Sequence, residues 1–192
     1  MGSALRKEDV EYTYTYADYK EWELQEGERY ELIHGEAFAM ASPSDYHQSI
    51  SGELFKQIAI YLTGKPCKVR SAPYDVRLFY AEDEFDDTVV QPDISIICDE
   101  KKRGPEGCRG APDFVAEILS PSNTVEEMGR KFRLYRKAGV REYWVISPKD
   151  KTLDTYLFED NIIHFRTYTS MEKAAVGIFP DFIVDLEPVF AE

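Results

Sequence analysis

Apolar residues along this chain follow two kinds of spacing, and the spacing sorts the chain into elements. Ile50, Leu54, Ile58 and Leu62 recur every fourth residue. They mark the buried stripe of a helix expected from about Asp45 to Leu62, opened by Ser42-Pro43-Ser44. Val125, Met128, Phe132 and Tyr135 lie three or four apart and predict the buried stripe of a second helix, from about Thr124 to Ala138. Thr124 and Glu127 form a T-x-x-E capping box at its start, and Gly139 supplies its stop. Elsewhere the apolar runs are short, β-branched or aromatic, and bounded by turn residues, as in strands. Such runs are Val89–Ile97, Ala111–Ser120 and Arg141–Ser147. Tyr30–Met40 reads as two strands around a tight turn at His34-Gly35, and Thr152–Phe158 with Ile162–Thr169 as a hairpin. A short helix over Tyr16–Trp22, an extended piece near Lys68–Ala72, a strand Tyr74–Tyr80 and a polar loop Asp99–Gly110 complete the pattern. Together these elements predict an α/β fold, a mixed sheet with helices on its faces.

Two of the strands carry acids. Asp93 lies in Val89–Ile97 and Glu117 in Ala111–Ser120, among apolar neighbours where an unpaired charge costs several kcal/mol or more. Period-two alternation puts Asp93 on one face with Ser95 and Ile97, and Glu117 on one face with Val115 and Asp113. On neighbouring strands the two acids would stand within about 5 Å of each other. Carboxylates that close repel unless a cation lies between them. Mg2+ or Mn2+ suits the arrangement, since it takes few oxygen ligands from protein and the rest from water and phosphate. The plain alternative is that Asp93 caps a turn after Pro92 and Glu117 pairs with an arginine.

Composition constrains this reading without overturning it. At 192 residues, 43% hydrophobic and 14% aromatic, the chain can bury a sizeable core. No run approaches the ~20 apolar residues of a membrane span, and Met1–Val10 lacks a signal-peptide core, so a soluble cytoplasmic protein is expected. Residues 1–10 are expected to be a poorly ordered start. Cys67, Cys98 and Cys108 have neither CxxC nor His-rich spacing, which argues against a disulfide framework and a zinc site; Cys98 reads as a small buried hydrophobe. The net charge of −13 is awkward for binding a polyanion. The charge is uneven, however: Arg130–Arg141 holds six basic residues and no acid, and local field decides where a phosphate docks.

Lys131 falls at the edge of the second helix's stripe, three after Met128 and four before Tyr135, while Arg130, Arg133 and Lys137 are expected to point to solvent. An inward ammonium beside a metal site could stabilise a pentavalent phosphate or orient water; a lysine snorkelling over the core edge is the rival explanation. Supporting candidates are Glu31 and Glu36 in the first hairpin, His47 near the start of the first long helix, Asp75 in the strand before Asp93, and Gln91. For each of the acids, and for His47, an ordinary exposed or capping role is the alternative.

The ordered set Tyr30-Glu31-Leu32-Ile33-His34-Gly35-Glu36, Gln91-Pro92-Asp93, Phe114-Val115-Ala116-Glu117-Ile118-Leu119-Ser120-Pro121-Ser122, Lys131, Tyr135 and Gly139-Val140-Arg141-Glu142-Tyr143-Trp144 resembles the Uma2 family. These are restriction-endonuclease-like proteins, formerly a domain of unknown function, in the PD-(D/E)xK nuclease superfamily. The resemblance implies a restriction-endonuclease-like mixed sheet between helices, with an added N-terminal hairpin and C-terminal β-hairpin. It implies one nuclease-like domain over residues 11–192 with a core at about 30–146. Asp93 becomes the Asp of the PD motif and Glu117 the acid of the second. Leu119 stands where the lysine of that motif belongs, and Lys131 is the candidate replacement.

The first hypothesis is therefore a Mg2+- or Mn2+-dependent endonuclease acting on DNA, with Asp93, Glu117 and Lys131 as its catalytic set. The second is a catalytically silent nuclease-fold module that binds a protein or nucleic-acid partner. A glycosidase with paired carboxylates is a third, disfavoured by the lack of an aromatic sugar platform. Ile178–Val184 and the last hairpin are candidates for covering a sheet edge or joining two copies, so a homodimer is expected.

Overall fold

The computed structural model describes residues 13–160 and 162–191, and the expected irregular start at 1–10 lies outside them. In chain order the elements are α1 (Tyr16–Tyr19), β1 (Tyr30–Ile33), β2 (Glu36–Ala39), α2 (Asp45–Tyr61), β3 (Lys68–Ser71), β4 (Val76–Arg77), β5 (Val89–Val90) and β6 (Ile94–Ile97). There follow β7 (Arg103–Gly104), β8 (Gly107–Arg109), β9 (Phe114–Ile118), α3 (Val125–Ala138), β10 (Glu142–Ser147), β11 (Thr152–Glu159), β12 (Ile162–Thr169), β13 (Lys173–Ala175), β14 (Ile183–Asp185) and α4 (Leu186–Val189).

A six-stranded sheet runs β12-β11-β10-β9-β6-β3. Within this sheet only β9 and β10 run parallel, with α3 as the crossover between them. The inner strands are apolar at nearly every position because helices cover both faces. Ile94, Ile96, Phe114, Ala116, Trp144 and Ile146 pack with the α2 stripe Ile50, Leu54, Ile58 and Leu62. The alternate residues Ile97, Val115, Tyr143 and Val145 pack with Leu134 and Tyr135 of α3. The expected mixed sheet between helices is therefore the fold, with the first hairpin at β1–β2 and the last at β11–β12. No helix among the described residues is long and apolar enough to cross a membrane.

Several local expectations are corrected. The run Val89–Ile97 is two strands: β5 belongs to a second sheet, ordered β2-β1-β5-β4-β8-β7, and β6 to the first. Pro92, which has no N–H to donate, marks the crossing. Tyr74–Tyr80 shrinks to β4, because Arg77 turns into the protein to pair with Asp86 and is covered by the rings of Tyr16 and Tyr80. The loop 99–110 contains a short 3-10 helix, Glu100–Lys102, and the hairpin β7–β8. Gly107 permits this: at φ 136° a Cβ there would lie 2.3 Å from the Asp75 carbonyl oxygen. Cys98 is no free hydrophobe; the pairing Lys68↔Ile97 brings Cys67 and Cys98 opposite each other, and they form a disulfide. Val125 is 88% exposed, so the buried face of α3 centres on Leu134 and Tyr135.

Candidate active site

The β6–β9 ladder pairs Ile94 with Ala116 antiparallel, and one step further the same register sets Asp93 opposite Glu117. The two acids thus meet where the chain leaves the second sheet at Pro92 and β9 nears its end. Asp93 Oδ2 accepts the Ile118 N–H at 2.7 Å, which replaces a ladder bond and holds the carboxylate over the neighbouring strand.

Lys131 reaches in from α3. Its Nζ lies 3.0 Å from Glu117 Oε1 and 3.1 Å from Glu31 Oε1. The Tyr135 hydroxyl, one helical turn on, donates to the same Glu117 oxygen. Glu31 is buried on β1 and also accepts the Gln91 N–H at 3.0 Å. Burial pushes the Glu117 carboxyl up, against the pull of Lys131, and the charges of Glu31 and Asp93 push the same way. Burial works to lower the Lys131 ammonium, but Glu117 and Glu31 outweigh it and raise its pKa, so the lysine is charged.

His47 enters from the first turn of α2, whose start is fixed by Ser44 Oγ accepting the His47 N–H. Its Nε2 is 3.4 Å from Asp93 Oδ2 and 3.2 Å from the Ile118 carbonyl oxygen. Burial would lower its pKa, but the bond and charge of Asp93 prevail and the net shift is upward.

These groups line a cleft of about 290 Å³ that Asp93, Glu117, Lys131, His47 and Glu31 share with Arg29 and Arg130. The structure thus brings together five of the residues singled out in the sequence. It leaves three out. Glu36 is exposed near the turn, opposite Ile33, whereas Glu31 pairs with Phe38 further along the same hairpin. Asp75 bonds to the Tyr19 hydroxyl and the Gln91 amide, outside this cleft, and burial raises its pKa. The Gln91 side chain follows Asp75, and only its backbone N–H touches the cluster, because alternation breaks at Pro92. Arg130 does not point to solvent: its guanidinium lies 4.0 Å over the Phe38 ring and lines the cleft. Arg29 carried no sequence signal for this site, whereas Tyr135 was among the residues carrying the family resemblance and helical spacing aligns it with Lys131.

Among the described residues, no three His, Cys, Asp or Glu side chains form a ready-made metal cage. The donor set nonetheless fits a hard divalent cation that keeps most of its ligands as water or phosphate. Lys131 and Tyr135 both engage Glu117 Oε1, while Ile118 N and His47 engage Asp93 Oδ2. That leaves Glu117 Oε2 and Asp93 Oδ1 without a hydrogen bond among the described residues. The cleft also holds four acids, Glu31, Asp93, Glu117 and Glu127, against Lys131, Arg29 and Arg130, an excess of one negative charge before His47 is counted.

The Uma2 family, described as "Putative restriction endonuclease", matches residues 16–186. An uncharacterised protein of Synechocystis sp. is 26% identical over 174 residues, covering 88% of each chain. A second Synechocystis protein, also uncharacterised, is 28% identical over 135 residues, 69% of this chain and 73% of its own. The crystal structure of a "putative nuclease" from Anabaena variabilis superposes with a TM-score of 0.72 at 19% identity, covering 92% of this chain and 97% of that one, a likeness of fold.

Proposed function

The chain belongs to the Uma2 family, and from that premise we propose that it is a nuclease that hydrolyses phosphodiester bonds in DNA with Mg2+ or Mn2+. The observation that carries the reading is the convergence of Asp93 and Glu117, opposed across β6 and β9, with Lys131 from α3. Asp93 and Glu117 would hold the cation, each through the oxygen left unbonded. The cation would supply Lewis acidity at the phosphoryl oxygen and lower the pKa of a bound water. Lys131 orients Glu117 and meets negative charge that develops on the phosphoryl group. His47 orients Asp93 from the opposite side through its Nε2. Ser120 and Asn123 close the turn into α3, with Asn123 Oδ1 accepting the Ser120 N–H at 2.7 Å, which fixes where that helix begins.

The test is cleavage of plasmid DNA with Mg2+ or Mn2+ by the unaltered chain and by Asp93→Ala. We expect activity to fall at least about a hundredfold in the variant; equal cleavage by both would sink the mechanism. A second reading, a silent nuclease-fold module that binds nucleic acid or protein without cutting, is favoured by Leu119. It packs against the apolar cluster under α3 where a second-motif lysine would otherwise stand. Binding of DNA without cleavage in either divalent metal would favour it.

A further inference from the structure

Three buried side-chain atoms among the described residues lack a hydrogen-bond partner: His47 Nδ1, Gln91 Oε1 and Arg130 Nε. Such orphans are rare enough in folded proteins to call for a cause. Two of the three belong to residues lining the one cleft. Arg130 is the more telling. In a chain with 36 acids against 23 basic residues, its guanidinium lines a carboxylate-rich cleft and pairs with no acid among the described residues. Phe38, 4.0 Å away, holds the plane of the guanidinium without using any of its N–H donors. Arg29 lines the same cleft and an adjoining hollow of about 310 Å³, and its side chain also pairs with no acid among the described residues.

We infer that Arg29 and Arg130 form an anion seat that takes a backbone phosphate of a single nucleic-acid strand beside Asp93 and Glu117. A forked donor paired with no carboxylate, and for Arg130 held by the Phe38 face, is what bidentate phosphate recognition requires. A single strand is favoured over an intact duplex by the charges at the rim. Glu28 adjoins Arg29, Glu126 adjoins the lining residue Glu127, and both are exposed. A duplex would lay a second row of phosphates across these acids, whereas one strand can follow the cleft that both arginines line.

The seat rests on the nuclease reading for its place beside the reacting bond, but binding tests it separately. Fluorescence anisotropy would follow a short single-stranded DNA, an RNA of the same sequence and the DNA duplex. Each is measured in chelator with the unaltered chain, and again in an Asp93→Ala background. Arg29→Gln and Arg130→Gln are each expected to weaken single-strand binding about tenfold. Each should also lower the salt dependence by about 0.7 in log–log slope, the value of one strand phosphate. Arg133→Gln, an exposed site on the same helix, is expected to bind as the unaltered chain does. Arg130→Lys keeps the charge but loses the fork and should recover only part of the affinity. Variants that unfold at the unaltered temperature yet bind with unchanged affinity and slope would overturn the seat and leave Arg130 as packing on Phe38. Equal loss in all three glutamine variants would overturn it in favour of a diffuse basic surface, and so would duplex binding tighter than single-strand binding, or no binding by the unaltered chain. If the seat holds while Asp93→Ala cuts normally, the nuclease mechanism fails and the binding site stands.

Discussion

Lys131 is the residue on which the candidate site balances. Its ammonium is mostly buried and lies within 3.1 Å of both Glu31 and Glu117. Removing one partner of a buried ion pair leaves the other's desolvation uncompensated. Lys131→Met is therefore expected to lose about 3–5 kcal/mol of stability in urea unfolding. Adding Glu117→Gln should restore part of that loss, because one stranded charge is then removed. A loss below about 1 kcal/mol would mean the acids are solvated and not held by the lysine. The three central residues were legible because each obeys a simple period: Asp93 and Glu117 by strand alternation, Lys131 by helical spacing. Arg130 was not. Taking Val125 as buried turned the α3 wheel outward for Arg130, whereas Val125 is 88% exposed and the buried face runs through Leu134 and Tyr135. A position four before Leu134 then flanks the cleft. Arg29 lies in an irregular segment ahead of β1, where no period applies.

At the scale of elements, an acid inside an apolar strand proved an incomplete guide to chemistry. Glu142 opens β10, is 1% exposed, and has nothing to do with the cleft. Its carboxylate accepts Trp144 Nε1–H at 2.7 Å and the N–H groups of Gly177 and Ile178 at 3.0 and 2.9 Å. It ties the central sheet to the turn that precedes β14. The two backbone donors lie 35 and 36 residues away, so no local pattern announces them. Glu142→Ala would leave the buried Trp144 donor unpaired and release two part-buried backbone donors to water, and we expect a loss of about 1–3 kcal/mol by thermal or urea unfolding. Cleavage per folded molecule should be unchanged, and a selective loss of cleavage would show that β10 reports to the site. The caps of α3 were readable, and they matter because they set the height of Lys131. Thr124 Oγ1 accepts the Glu127 N–H at 3.1 Å, so Thr124→Ala should cost about 1 kcal/mol in the same assay. The strand break at Pro92 was visible in the sequence as a proline, but its consequence, a change of sheet, depends on long-range pairing that no window of sequence contains.

For the whole molecule, the net charge of −13 and the cleft's excess of carboxylates bear on the same question, namely what neutralises them. A cation that binds the folded chain at Asp93 and Glu117 and not the unfolded one must raise the unfolding temperature by mass action. At a concentration ten times its dissociation constant the gain is about 1.4 kcal/mol. For a chain of this length that corresponds to a rise of roughly 3–6 °C. We expect millimolar Mn2+ or Mg2+ to give such a rise in the unaltered chain, chelator to reverse it, and Asp93→Ala to abolish it. Surface acids such as Glu82 and Asp83 also attract cations, so the variant is the decisive arm. A rise of the same size in Asp93→Ala would assign the binding to that surface. No rise in either would remove the metal from the proposed chemistry and favour the silent module. With the metal bound, the two acids lose their mutual repulsion, so the stability gained by the unaltered chain should exceed what Asp93→Asn gains by relieving that repulsion without metal. Comparing those two melting curves separates cation binding from simple charge relief, which bulk salt would mimic.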